Sequence, residues 1–187
     1  MNLCLKFTKE KVCFLIGDKI QAINYNVRNN NKISYNIKRA LKNGEKFKKI
    51  IQEIILELPK EKQKKINIVR WEEYERMDKF YKRYTSKIYK EFEENKSFKK
   101  EILNIVKTSI NDKLFTEEEY LELTKYILEE FILTYSGIKL GEEYYGAYLY
   151  PKLFPITSFV EKIQQGELFP ELNKKLPKEK VALAIVN

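Results

Sequence analysis

The chain contains no histidine. That removes the side chain whose ordinary pKa lies closest to neutrality, and with it the commonest metal ligand. Ser-His and Cys-His nucleophile systems are excluded, so any acid–base chemistry must run on Glu, Asp, Tyr, Lys or water. Cysteine is almost as scarce. Cys4 and Cys13, nine residues apart in apolar surroundings, read as buried thiols and not as a disulfide framework or a zinc site. The six glycines are too dispersed to form GxxxxGK[ST] or GxGxxG, so nothing points to ATP or NAD and no cofactor is expected. No apolar run approaches the ~20 residues of a membrane span. Residues 1–11 carry Lys6, Lys9, Glu10 and Lys11 scattered through them, which is not a signal-peptide pattern. The expectation is a cytoplasmic protein with no metal and no membrane contact.

What is present is enough for one domain. Hydrophobic residues make up 43% of 187, which can build a proper core. The formal net charge is +9, which suits a polyanionic partner because lysines near phosphates release counterions. Yet only five of the 36 basic residues are arginine (28, 39, 70, 76 and 83). A composition rich in Lys, Ile and Asn raises lysine everywhere, so charge alone leaves the partner open.

Apolar patterning gives the order of elements. Val12-Cys13-Phe14-Leu15-Ile16, followed by Gly17-Asp18, reads as a strand buried on both faces that ends in a polar turn. Asp18 then stands where α/β proteins place functional loops, at a strand's carboxyl end. A helix is predicted over 34–58, its apolar face drawn from Ile37, Leu41, Ile50, Ile54, Ile55 and Leu58, with Gly44 costing it about 1 kcal/mol against Ala. Pro59 ends it and 60–65 is a charged loop. Ile66 to Val69 is the next strand. One helix face is predicted across 72–95 (Met77, Phe80, Tyr81, Tyr84, Ile88, Phe92), and a second helix over 97–110 buries Phe98, Ile102, Ile105, Val106 and Ile110. Thr116-Glu117-Glu118-Glu119 is a capping box that starts a helix ending near Tyr135, before Gly137. Ala147–Tyr150 is a short strand, 157–165 a helix closed by Gly166, and 181–186 a final strand. The alternation predicts an α/β fold: one domain, with a mostly parallel sheet flanked by helices.

The helix after Thr116 carries the most chemical detail. With Tyr126 at zero and about 100° per residue, Tyr120, Leu121, Thr124, Ile127, Leu128, Phe131, Ile132 and Tyr135 fall between about 100° and 240°. That is the predicted core stripe. Tyr126 and Glu130 lie opposite, one turn apart, with Leu123 and Leu133 beside them. A phenol and a carboxylate so placed can share a hydrogen-bond network with a bound amine, and burial by the flanking leucines would raise the carboxylate's pKa. Spacing alone equally fits a solvated helix face. Two further features are Tyr150-Pro151, where Pro ends a strand or marks an edge and could hold Tyr150 at a pocket rim, and a basic stretch. In that stretch Lys38, Arg39, Lys42, Lys46, Lys48 and Lys49 are opposed only by Glu45, and positions 38, 42, 46 and 49 share one helix face. Such a stripe can track a phosphate backbone. It is also what a solvated face looks like in a lysine-rich chain.

Taken in order, these segments resemble the tRNA-dependent cyclodipeptide synthases. The similarity runs through VCFLIGDKIQAINYNV, IKRALKNGEKFKK, INIVRWEEY, TEEEYLELTKYILEE and YLYPKLFPITSFVEKIQQGELFPEL. The family has a Tyr-x-x-x-Glu pair on a helix, which Tyr126 and Glu130 match. It has a second pocket tyrosine further on, matched by Tyr150, and one of its branches follows that tyrosine with Pro, as Pro151 does.

The resemblance implies a Rossmann-like sheet similar to the catalytic domain of class I tyrosyl- and tryptophanyl-tRNA synthetases. It implies two aminoacyl-tRNAs as substrates and a diketopiperazine as product, made through an aminoacyl-enzyme. Glu130 would hold the substrate amino group and assist proton transfer, Tyr126 would hydrogen-bond the same group, and Tyr150 would orient or relay. Leu15 and Trp71 would line the aminoacyl pocket, and Lys38, Arg39, Lys42, Lys46 and Lys49 would hold tRNA. One departure stands out. The family's nucleophile is a serine on a loop after its first strand, and here no serine precedes Ser34. Ser34 stands beyond Asp18 and Asn24-Tyr25 and does not take that role. Nothing around Cys4 resembles the loop either. The expectation is a start that lies upstream, with a sheet edge left open to pairing as a monomer or dimer. The alternative is a chain of the same fold that binds aminoacyl-tRNA without turnover.

Overall fold

The structure, a computed structural model, describes residues 11–28, 32–110, 115–150, 155–178 and 182–185. The chain divides into two units, Met1–Met77 and Asp78–Asn187.

The first unit is built on a parallel strand pair. β1 (Val12–Ile16) and β2 (Ile66–Arg70) pair in register from Val12↔Ile66 to Ile16↔Arg70. A parallel pair needs a crossover, and α1 (Gln21–Arg28), α2 (Ile33–Leu56) and the single-turn α3 (Lys60–Gln63) supply it. α4 (Trp71–Met77) follows β2 directly. Both strands and α2 lie where the sequence places them. α3 stands where a charged loop is expected, and α1 goes unread because Ala22 is its only buried residue. β1 is not buried on both faces: only Ile16 is buried, and Val12 to Leu15 are half-buried.

The buried face of α2 also differs from the apolar one predicted. Ile50 and Ile54 are exposed, while Asn36, Ala40 and Gly44, four residues apart, are buried. Small side chains win here because α2 passes close over the end of β1. A Cβ at Gly44 would sit 2.2 Å from the Cβ of Asp18. The glycine that weakens the isolated helix is what lets it approach. Gly44→Ala must push α2 off the strand, and the expected loss is roughly 1–3 kcal/mol, read as a lower urea midpoint. An unchanged midpoint would mean that α2 does not press on Asp18.

Asp18, buried with no side-chain exposure, ties this unit together. It accepts from Arg70 Nε and from the backbone N–H of Lys19 at 2.7 Å, while Arg70 also pairs with Glu45 at 3.0 Å and donates to the Leu41 carbonyl at 3.1 Å. Burial works against the Arg70 charge, but the hydrogen bond and charge of Asp18 outweigh it and the guanidinium pKa is raised. The residue that strand logic marks as functional is therefore a structural anchor between β1, β2 and α2.

The second unit packs helices around α7 (Glu117–Ser136). α5 (Lys79–Glu94), α6 (Lys96–Ser109) and α8 (Pro155–Gln165) all lie against it. The helix expected across 72–95 is broken at Asp78, whose side chain caps α5 by accepting from Phe80 N–H at 2.8 Å. Met77, at the break, is exposed and not part of the core. Asn95 caps α6, which buries Phe98, Ile102, Ile105 and Val106 as patterned, while Ile110, also expected in that face, caps its end and is half-buried. The capping box of α7 is fully formed: Glu119 N–H donates to Thr116 Oγ1 at 3.2 Å, and Thr116 N–H to Glu119 Oε2 at 2.8 Å. Gly137, at φ 75°, ends the helix. An antiparallel pair, β3 (Ile138–Leu140) with β4 (Glu143–Tyr145), follows, then β5 (Ala147–Tyr150), which pairs in parallel with β6 (Ala182–Ile185). The hairpin and α9 (Pro170–Lys175) are too short to show a period. Two of the three described strand pairs are parallel, and among the described residues each sheet is two-stranded.

Among the described residues no helix is long and apolar enough to cross a membrane, and no cluster of His, Cys, Asp and Glu could hold a metal. Cys13 is half-buried and in no disulfide among the described residues, and Cys4 lies outside them.

Candidate active site

α7 is the central helix of its unit, and the first half differs from the second. Leu121, predicted for the core, is exposed. From Phe131 to Ser136 every residue is buried, whichever side it points to. Leu123 and Leu133, on the Tyr126 side, are 4% and 1% exposed. The side opposite the main apolar stripe is therefore not a solvated face. α5, α6 and α8 all pack against the helix.

That environment acts on Glu130. Burial pushes its carboxyl up to about 7, and the hydrogen bond with Tyr126 pulls the other way without cancelling the effect. The cause is desolvation of the charged form beside apolar neighbours, as the flanking leucines require. Tyr126 and Glu130, one turn apart, are thus brought together, each half-buried. A carboxyl that titrates near neutrality can take and return a proton at working pH, and a phenol next to it can orient an amine or hydroxyl for the exchange.

Glu129, which the sequence reading passed over, has partners of its own. It accepts from the hydroxyl of Tyr81 through Oε2 and from that of Tyr89 through Oε1 at 2.8 Å, both on α5. The signal was present as a Glu-Glu doublet in an apolar stretch of α7 and as Tyr81, Thr85 and Tyr89 at one-turn spacing on α5.

Within the first unit, Leu15 lines a cleft of about 410 Å³ with Phe14, Tyr25, Asn43, Phe47 and Ile51. Trp71 is not among the residues that line it; Trp71 is buried with its ring 6.4 Å from that of Tyr74. On α2, Lys38, Arg39, Lys42, Lys46 and Lys49 are all exposed. Lys48 is half-buried and bound to Glu73 at 3.0 Å, and Arg39 lies 4.8 Å over the ring of Tyr25. Among the described ion pairs none uses Lys38, Lys42, Lys46 or Lys49. The backbone of Tyr150 pairs with Ile185 at the end of β5. Its side chain, and Pro151, lie outside the described residues.

No protein-family profile matches the sequence, and no curated protein sequence matches it. Solved structures do match. The chain superposes on a cyclodipeptide synthase (CDPS) from Fluoribacter dumoffii with a TM-score of 0.69 and 16% identity, covering 97% of this chain and 77% of that one. It superposes on a cyclo(L-leucyl-L-phenylalanyl) synthase with a TM-score of 0.60 and 16% identity, covering 95% and 77%. The chain has the Rossmann-like α/β fold of the cyclodipeptide synthases, as its motif order implied.

Proposed function

We propose that this protein makes cyclodipeptides from two aminoacyl-tRNAs. Fold alone does not assign an activity, so the weight falls on one observation: Glu130, hydrogen-bonded to Tyr126 on the central helix and titrating at about 7. Joining two aminoacyl groups requires an α-amino group to lose its ammonium proton before it can attack an ester. A carboxylate with a raised pKa is a matched acceptor for that proton and can return it to a leaving hydroxyl. Tyr126 would hold the same amine, and Tyr150 would orient the attacking group. Leu15, which lines the cleft of the first unit, is assigned to the aminoacyl side chain. Lys38, Lys42, Lys46 and Lys49, exposed on α2, would take the tRNA backbone with Arg39. A substrate of this kind places the protein in the cytoplasm, with no cofactor.

A second reading has its own support. Lys38, Lys42, Lys46 and Lys49 of α2 are exposed and engage no carboxylate among the described ion pairs, and binding alone would account for them. A protein of this fold that holds aminoacyl-tRNA without turnover would carry the same basic helix and the same amine-binding pair. One experiment separates the two. Culture medium of cells expressing the chain is analysed by mass spectrometry, and charged tRNA is tested for binding by filter retention. Diketopiperazines above the vector control are the expected result. Retention of charged over uncharged tRNA without product would establish the binder instead, and neither signal would remove both readings.

A further inference from the structure

α5 sets a line of polar side chains into a helix–helix interface. Tyr81, Thr85 and Tyr89 are one turn apart; Tyr81 is 1% exposed and Thr85 7%, with no partner for the Thr85 hydroxyl among the described residues. From either side of Thr85 the two phenols reach a single carboxylate on α7, Tyr81 to Oε2 and Tyr89 to Oε1 of Glu129. No Lys or Arg pairs with Glu129 among the described ion pairs.

This is not the most stable way to join two helices. Phenylalanines and a leucine would fill the same space with no carboxylate to desolvate, and such replacements are often neutral or stabilising. What the polar cluster supplies is register. The two tyrosines are eight residues apart, about 12 Å along α5. Attached from both directions, Glu129 resists sliding of α7, and the use of both oxygens resists its rotation. Glu130 is the next residue, about 100° around the helix. A 20° roll of α7 would carry a side chain about 6 Å from the axis through roughly 2 Å. Misplacement by about 1 Å is enough to cost about 100-fold in rate.

We propose that Glu129, gripped by Tyr81 and Tyr89, is a positioning residue that fixes α7 so that Glu130 and Tyr126 meet the substrate amine. The proposal rests on the reading of Glu130 given above and extends it to the neighbouring helix. The other described side-chain hydrogen bonds to α7 from these packed helices lie at its ends: Lys107 of α6 meets Glu117, and Gln164 of α8 and Asn173 of α9 meet Tyr135.

The test is the variant Tyr81→Phe, Tyr89→Phe, Glu129→Leu in the full chain, with Tyr89→Phe alone as the milder change. Three readouts are taken: the urea midpoint, the titration of the Glu130 carboxyl by carbon-13 NMR, and diketopiperazine yield. The triple variant should unfold at the same urea concentration or higher. Glu130 should titrate about one pH unit lower, because a helix free to roll admits water to the carboxyl. Product should fall about 100-fold, and Tyr89→Phe should shift both readouts in the same direction by less. An unchanged Glu130 titration in the triple variant overturns the proposal, since the cluster would then be packing only. A triple variant that fails to fold also overturns it, since the cluster would then serve stability. If Glu130→Gln leaves product unchanged, the functional reading falls instead, and the NMR titration still decides whether Glu129 positions its neighbour.

Discussion

Glu130→Gln is expected to end cyclodipeptide formation and, above neutral pH, to make the protein more stable. The two effects share one cause. In the unfolded chain a glutamate ionises near 4.5, and in the folded protein burial raises Glu130 to about 7. Below pH 4.5 both states hold the proton and the group is neutral in the balance. Between 4.5 and 7 the unfolded chain gives up its proton while the folded protein keeps it, so folding stability falls as pH rises. Above 7 both are ionised and the loss is constant. Linkage sets that loss at roughly 2–3 kcal/mol, allowing for the part of the side chain that water still reaches. Glutamine has the same shape and no charge to desolvate. Urea midpoints of the two proteins should therefore nearly coincide at pH 4, separate between 4.5 and 7, and stay apart at pH 8 with the variant higher. Glutamine cannot accept a proton, so product should drop by about 100-fold or more, and in the unaltered protein product formation should rise through pH 7 as the carboxylate form appears. A stability gap that does not change with pH would show that burial does not shift Glu130. Persisting product would remove it from the mechanism.

That the sequence disclosed this pair, and not Glu129, follows from what periodicity can see. Tyr126 and Glu130 stand out because they interrupt an apolar helix one turn apart. Their burial does not follow from that pattern, because an amphipathic wheel treats every polar side as solvent. It fails on α7 because three helices pack around it, and only Leu123 and Leu133 hinted at this. Glu129 gains its meaning from two tyrosines 48 and 40 residues earlier, a pairing no local window contains. The same limit explains α2. Its pattern promised an apolar face through Ile50 and Ile54, whereas Asn36, Ala40 and Gly44 are the residues buried, and at Gly44 the close approach to Asp18 makes size outrank hydropathy. Caps were the most legible features. Thr116 with Glu119, and the positive-φ glycines Gly137 and Gly166, are chemically local and fall where the residues place them. Asp78 was missed because an apolar face can be drawn straight across a helix break.

Reversing two charges on α2, Lys42→Glu with Lys46→Glu, should weaken tRNA binding by about 10- to 100-fold near 0.1 M salt and lower the steepness of its salt dependence by about 1.4 to 1.8. Both lysines are exposed and engage no carboxylate among the described ion pairs, so the fold should be untouched and stability should change by less than about 0.5 kcal/mol. Each occupies the stripe shared with Lys38 and Lys49, where a four-residue step raises successive charges by about 6 Å along the axis. Lys48 is the instructive neighbour. It is already bound to Glu73, whose carboxyl is held below its usual range against the opposing effect of burial, by the Arg70 N–H and by Lys48 itself. Lys48→Glu should therefore unsettle the end of β2 before it touches tRNA. A fair control must remove as much charge from elsewhere on a chain whose net charge is +9. Lys96→Glu with Lys100→Glu on α6 does so from two exposed positions. If the α2 pair loses at least ten times more affinity than the α6 pair, the backbone is tracked by α2. Equal losses from both pairs would mean that binding follows bulk charge alone, and the lysine-rich composition would then account for the basic helix.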